Sequence, residues 1–362
     1  MRFQIFIFAI SIYFLSCTAQ GQKIISPDDE RITPNDERIT PQGAFFVSRT
    51  PDKLIINRHL PEIIDMPETE AHPRNAFAQS GVSISFGTDS KHIKVLMEPR
   101  KETSLRYGIF GIYKNGKLVD KISVLPKNND TFDGISFENP DGDFAEWKVL
   151  FPTYYGVDIK GIEIDEGSRF EAARKDDRPV YVAIGNSITQ GTGQAASFQT
   201  YPYILAEKKG WQLYNLAVGG SKISWPFALE LKNKKADVIT ILWGYNDWNK
   251  GYTPQGEIIP RYTKLVKMLA EDHPDAKIYC ITPTFTYTTK PKHGNVTIDE
   301  IRNAEKKAVK KLQKKGYKNL FIINGTDISG PENLKPEGSK DKVHFTVEGA
   351  AKFANKLAGV IE

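Results

Sequence analysis

Residues 180–189 read Val-Tyr-Val-Ala-Ile-Gly-Asn-Ser-Ile-Thr. The run 180–184 is apolar throughout and rich in β-branched side chains, which suits a strand buried on both faces. Gly185 then permits a sharp turn, and Ser187 emerges where the strand ends. Further β-rich runs at 238–243, 278–281 and 320–323 alternate with helical stretches at about 201–209, 260–271, 298–315 and 347–360. Strands alternating with helices mean βαβ units and a parallel sheet covered on both faces. In such sheets ligands sit beyond the carboxyl ends of the strands, so the residues just after each strand are the candidates for chemistry.

Outward from this stretch, residues 165–178 are charged and irregular and read as a linker. Before them the period changes. Val82, Ile84 and Phe86 alternate with Ser83 and Ser85, and Ile93, Val95 and Met97 repeat the pattern, the two-residue period of a half-buried sheet. Asn115-Gly116 between two apolar runs is a strong hairpin signal. Residues 44–168 therefore read as an antiparallel β-sandwich of jelly-roll-like type, with no cluster of catalytic residue types. His59 and His72, in its early loops, read as structural or exposed.

With 362 residues, 40% hydrophobic and 26% charged, the chain can build two domains. A net charge of +5 with dispersed lysines does not point to nucleic acid. Cys17 and Cys280 are the two cysteines, which excludes a disulfide framework and a multi-Cys zinc site. Cys280 reads as a buried, unreactive thiol. At the N-terminus, Arg2 precedes an apolar run from Phe3 to Leu15, too short for a membrane span but suited to a signal-peptide core over residues 1–16. Phe14-Leu15-Ser16-Cys17 resembles a bacterial lipoprotein box with Cys17 as the lipidated residue; cleavage near Ala19-Gln20-Gly21 is the alternative. The expected location is the cell envelope, with the membrane touched only through that anchor. Residues 17–43 carry Ile25-Ser-Pro27, Ile32-Thr-Pro34 and Ile39-Thr-Pro41 at a seven-residue period. Proline at each period forbids a helix, so an extended tether is expected there.

Four pieces of the C-terminal half complement each other. A serine hydroxyl is a poor nucleophile until an imidazole takes its proton, and the imidazole needs a carboxylate to fix its tautomer. Ser187 follows the first strand, and Asp341-Lys-Val-His344 places a carboxylate three residues before a histidine. A tetrahedral intermediate also needs donors aimed at its oxyanion. The Ser187 N–H, the Gly220 N–H from Asn215-Leu-Ala-Val-Gly-Gly220, and the Asn246 amide from Gly244-Tyr-Asn-Asp247 can supply them.

With these blocks in this order, residues 177–362 resemble the SGNH (GDSL-type) hydrolases. The resemblance implies a flavodoxin-like three-layer α/β/α fold. It also implies Ser187 as nucleophile, His344 as base, Asp341 as its orienter, and Gly220 and Asn246 as oxyanion donors. The residue before the serine is usually Asp in that family and here is Asn186. The β-rich half looks like the N-terminal sandwich of some exported carbohydrate-esterase members, through strand order and Leu150-Phe151-Pro152-Thr-Tyr154.

Other features have plainer accounts. Gly191-Thr-Gly193 mimics a dinucleotide fingerprint but comes six residues after the strand. The lysines at 306–315 flank the apolar stripe Ile301, Ala304, Ala308 and Leu312 and read as a solvated helix face. Trp225, Tyr245, Asp247 and Trp248 flank the motif loops and are candidates to contact a sugar, with core packing as the alternative. The expectation is a cofactor-free, metal-free serine esterase that removes an acyl group, most readily acetyl, from a carbohydrate. The alternatives are a lipase or thioesterase and a non-catalytic carbohydrate-binding protein.

Overall fold

A computed structural model describes residues 29–125 and 131–362. The leader residues 1–16 and the lipid-acceptor candidate Cys17 lie outside the described residues.

The C-terminal sheet has five parallel strands in the spatial order Gln212–Asn215, Val180–Gly185, Val238–Leu242, Lys277–Ile281 and Leu320–Ile323. This is a doubly wound, flavodoxin-like order in which the chain reverses direction beside the first strand. Helices Tyr201–Lys209 and Val347–Val360 cover one face; Ile259–Asp272 and Ile298–Gln313 cover the other. Two apolar clusters result. One gathers Val182, Ile184, Ile239, Ile241, Leu265 and Leu269, the other Tyr181, Ala183, Leu205, Phe353 and Leu357. Alternate residues of a single strand thus feed opposite layers, which is why the run 180–184 has no polar position.

The N-terminal half is two antiparallel sheets packed face to face. One runs Phe46–Arg49, Leu54–Asn57, Val157–Asp165, His92–Pro99 and Gly134–Glu138. The other runs Phe170–Glu171, Ser83–Thr88, Ala145–Leu150, Gly108–Lys114 and Lys117–Val124. Val82, Ile84, Phe86, Ile93, Val95 and Met97 meet in its core. Asn115 and Gly116 turn the hairpin at φ 50° and 79°, the left-handed pair that a two-residue type I′ loop requires.

The tether expectation fails from residue 29 onward. Asp29–Ile32 pairs with Val157–Asp165, and Thr40–Gln42 pairs with Ser83–Thr88, each adding an edge strand to the sandwich. Pro41 is tolerated because an edge strand has one side with no ladder to feed. Ile32 and Ile39, one period apart, are both core residues at 3% and 0% exposure. Between them Asp36 folds the chain into a turn held by Arg38, while Arg49 donates to the carbonyls of Asp36 and Ile39 at 2.9 and 2.6 Å. The prolines did forbid a helix, but one isoleucine per period was enough to dock the segment.

Residues 58–78 join the two halves. Ile64 and Ala76, on short helices Pro61–Ile64 and Pro73–Ala76, pack in the core of the parallel-sheet domain. Arg58 is fully buried and donates to the carbonyls of Asn75, Ala76, Ala78, Asn215 and Ala217 at 2.6–3.2 Å. Beside it, buried His59 Nδ1 meets Glu230 at 2.9 Å, and the other Glu230 oxygen accepts the Leu60 N–H. His72 uses its ring nitrogen to cap the helix by accepting from the Arg74 N–H. Both histidines are structural, as their isolation in sequence suggested.

Candidate active site

Every reactive candidate lies just past the carboxyl end of a parallel strand or on the loop facing it. After Val180–Gly185, Asn186 caps the short helix Ser187–Gln190 by accepting the Ile188 N–H on its side-chain oxygen at 3.1 Å. An aspartate would accept the same bond, so Asn186 preserves the turn while omitting the negative charge. The cap sets Ser187 at the first helical position, half-buried, with its Oγ 2.8 Å from His344 Nε2.

His344 sits on the loop before helix Val347–Val360. Asp341 accepts the backbone N–H groups of Val343 and His344 at 3.2 and 3.1 Å, a local turn that delivers its carboxylate to His344 Nδ1 at 3.1 Å for each oxygen. Burial pushes the Asp341 carboxyl up, but these N–H groups and the nearby imidazole outweigh it and hold it below the usual carboxylate range. A carboxylate only accepts, so Nδ1 carries the proton and Nε2 is left to accept from Ser187. Burial depresses the His344 pKa below its ordinary value despite the pull of Asp341, and the charges of Arg106 and Lys335 add to the depression. The imidazole is therefore neutral at pH 7, the state a general base needs. The loop is tied down by Gln194, which donates to the Phe345 carbonyl at 2.8 Å.

The glycine block follows Gln212–Asn215. Asn215 Nδ2 donates to the Thr189 carbonyl at 3.0 Å, joining this block to the serine turn. Gly219 N–H is taken by the Gln190 side chain at 2.6 Å, and a Cβ on Gly219 would lie 2.5 Å from the Tyr154 hydroxyl, so only glycine fits. The next N–H, that of Gly220, and the Ser187 N–H have no internal acceptor among the described residues. Asn246 lies in the first turn of helix Tyr245–Lys250, where its Nδ2 donates to the Ser221 carbonyl at 2.9 Å with one hydrogen to spare.

Ser187, His344, Gly220 and Asn246 line one open cavity of about 310 Å³ together with Thr192, Gly219, Asn75, Arg106 and Tyr154. The last three belong to the N-terminal half and were not anticipated from sequence. Asn75 Nδ2 donates to the Gly219 carbonyl at 2.8 Å and accepts from Ser104 at 2.6 Å. Tyr154 bonds Thr192 at 2.5 Å, and the Arg106 guanidinium lies 4.2 Å over the Tyr154 ring. No sequence signal could have found them, because what brings them to the cavity is contact across the two domains, Asn75 with Gly219 and Tyr154 with Thr192.

The four aromatic and acidic sugar-contact candidates do not line this cavity. Trp248 is fully buried, its indole N–H on the Val296 carbonyl at 2.7 Å, and is a core residue. Asp247 is also fully buried and accepts the Ile223 N–H at 3.0 Å; burial pushes its pKa up to about 7. It fixes the loop after the glycine block rather than meeting a ligand. Half-buried Tyr245 bonds Thr288 at 3.1 Å, and half-buried Trp225 is covered by the Lys264 ammonium at 3.2 Å. Behind the Gly244 turn lies a further surprise, Glu305. This carboxyl, from the lysine-rich helix, is 1% exposed and has no hydrogen-bond partner, and burial raises its pKa well above the ordinary value. Gly244, at φ +96°, leaves no room for a Cβ against it.

Cys280 is buried, with its thiol pushed up to about 12 by burial. Among the described residues no group of three or more His, Cys, Asp or Glu side chains is arranged to hold a metal ion.

Comparison with known proteins finds the same fold elsewhere. The solved structures similar to the chain include a salicylyl-acyltransferase of a tetracycline biosynthetic pathway, with TM-score 0.79 and 19% identity over 92% of this chain and 96% of that one. A family two carbohydrate esterase from Cellvibrio japonicus aligns with TM-score 0.62 and 15% identity over 92% and 96%. An acetyl xylan esterase from the rumen bacterium Butyrivibrio proteoclasticus aligns with TM-score 0.60 and 12% identity over 92% and 96%. At such identities the likeness is one of fold, and it spans both halves of the chain. A comparison with curated proteins finds no match. Residues 183–352, within the parallel-sheet domain built around Ser187, match the GDSL-like lipase/acylhydrolase family.

Proposed function

We propose that this protein is a serine esterase that deacetylates a carbohydrate through an acyl-enzyme. The observation that carries the reading is the continuous chain from Ser187 Oγ through His344 to Asp341, opening into a cavity where the Ser187 and Gly220 N–H groups are unspent. Ser187 Oγ attacks the ester carbonyl carbon and gives its proton to His344 Nε2. The oxyanion that forms accepts from Ser187 N–H, Gly220 N–H and Asn246 Nδ2. His344 then returns the proton to the sugar oxygen as the C–O bond breaks, leaving the acetyl group on Ser187. Water repeats the attack with His344 again taking a proton, and acetate leaves as Oγ is reprotonated.

The fold shared with carbohydrate esterases supports the sugar, and the open cavity suits an ester on a bulky alcohol. The N-terminal apolar run ending at Cys17 supports attachment to a membrane surface in the cell envelope. The test is acetate release from a panel of acetylated polysaccharides, with 4-nitrophenyl acetate as the minimal ester. Ser187→Ala and His344→Ala are each expected to lower kcat by about 10⁴-fold or more. Unchanged turnover in both would overturn the mechanism, and turnover of long-chain esters in preference to every acetylated sugar would overturn the substrate.

A further inference from the structure

One lining residue of the cavity beside Ser187 carries a fixed charge, and it is positive: Arg106. No carboxylate is among the lining residues, and the Arg106 guanidinium has no acceptor among the described residues. Its position is nevertheless defined. The Arg106 backbone N–H donates to the Tyr154 carbonyl at 3.3 Å, and the guanidinium carbon lies over the Tyr154 ring, 4.2 Å from its centroid. Tyr154 is 3% exposed and held by Thr192, so the platform under the guanidinium is rigid. Stacking uses the π-face of the guanidinium and leaves its N–H fork free at the edge. In Arg58 and Arg302, by contrast, the fork is engaged internally, by five carbonyls in the first and by Asp299 and the carbonyls of Pro283 and Thr284 in the second. A preorganised, unspent fork at the mouth of a reactive site is shaped for a planar oxyanion.

Resting on the esterase reading above, we propose that Arg106 determines specificity by receiving a carboxylate of the substrate, so that the preferred esters are those of an acidic, uronic-acid-type sugar. The carboxylate lies between the free N–H groups of Arg106 and close to the acyl group held at Ser187, and the sandwich domain thereby selects what the parallel-sheet domain cleaves. The groove is open to solvent, so this attraction weakens as salt rises.

The experiment compares two probes that differ by one charge: a mono-acetylated methyl galactosiduronic acid and its methyl ester. The wild type is expected to show a kcat/KM for the acid at least about tenfold above that for the methyl ester, the size of one charge-assisted hydrogen bond. In Arg106→Gln that ratio should fall towards one, while Arg106→Lys keeps part of it because charge survives but the fork does not. Adding salt should lower the wild-type ratio and leave that of Arg106→Gln unmoved. A wild-type ratio at or below one, or an equal ratio in Arg106→Gln, overturns the proposal. Calorimetric binding of the two deacetylated sugars to Ser187→Ala, with and without Arg106→Gln, reads the same preference without turnover. If 4-nitrophenyl acetate is cleaved in a Ser187-dependent way but neither assay shows the acid preference, only the Arg106 assignment fails. If no ester is cleaved yet the binding preference for the acid stands, the esterase reading fails and the Arg106 assignment survives.

Discussion

The parallel-sheet domain and the β-sandwich contribute to the same cavity in different ways. In the first, Ser187, Gly220 and Asn246 follow strand ends and His344 lies on the loop before helix Val347–Val360, and bonds within its own loop place the proposed nucleophile and base: Asn186 caps the turn of Ser187, and Asp341 folds back on His344. In the second, the strands supply no residue to the cavity. The N-terminal half reaches the site through the short helix Pro73–Ala76, which sets Asn75 against the glycine block, and through loops that bring Arg106 and Tyr154 to the cavity. Reactivity is thus locally encoded, whereas the shape and charge of the cavity depend on the docking of one domain on the other. Arg58 is the hinge of that dependence, since its carbonyl partners come from both halves.

The largest effect that could break this picture comes from Arg58→Met. The buried carbonyls of Ala76, Ala78, Asn215 and Ala217 lose the Arg58 donor together, and unfolding free energy should drop by about 3–5 kcal/mol, read as a lowered melting temperature or denaturant midpoint. A change under about 1 kcal/mol would mean that the domains hold each other by apolar packing alone.

Within the parallel-sheet domain, Asn246→Ala should lower kcat on 4-nitrophenyl acetate by about 10²–10³. The loss belongs in kcat, because the amide is needed when the oxyanion forms; a loss confined to KM would remove Asn246 from the oxyanion site.

A pH series tests the same domain more gently. His344 must be neutral to act, and its pKa lies below the ordinary histidine value because of burial. On the acid side kcat/KM should therefore fall about tenfold per pH unit, starting below pH ~6.5, and be level from there to neutrality. Asn186→Asp, by adding a carboxylate beside the nucleophile, should move that limb to higher pH. A limb above pH 7 in the wild type would contradict the burial of His344.

The smallest change is expected from Asn75→Ala. Asn75 is a positioning residue acting through the Gly219 carbonyl, so kcat should fall by a few-fold to about tenfold, the worth of one hydrogen bond. If Asn75→Ala leaves kcat unmoved while Asn246→Ala does not, the sandwich is a specificity wall with no part in holding the glycine loop.

Strong periodicity made much of the fold legible. The helices read at 201–209 and 347–360 appear at those positions, and the Asn115-Gly116 turn falls where its chemistry placed it. The site blocks were legible for a related reason, since each depends on contacts within a few residues. The segment from 29 to 43 was misread because one isoleucine per seven residues resembles no strand pattern, although Ile32 and Ile39 each fill a place in a core built from elsewhere. For Trp248 the sequence left sugar contact and core packing both open, and Asp247 read as a ligand contact; the short helix Tyr245–Lys250 turns this adjacent pair inward, which only the packed structure decides.

The sequence by itself determined the βαβ alternation, the strand-end position of Ser187, the Asp341–His344 pairing and the capacity of Asn186 to hold the turn, because all of these are short-range consequences of steric limits, burial and local hydrogen bonding. Tertiary structure alone decided that residues 29–42 join the sandwich, that Glu305 is buried behind Gly244, and that Arg106 and Tyr154 wall the cavity beside a serine far away in the chain. Those outcomes rest on which surfaces two domains bury against each other, and a polar residue carries no mark of its distant partner until that burial has occurred.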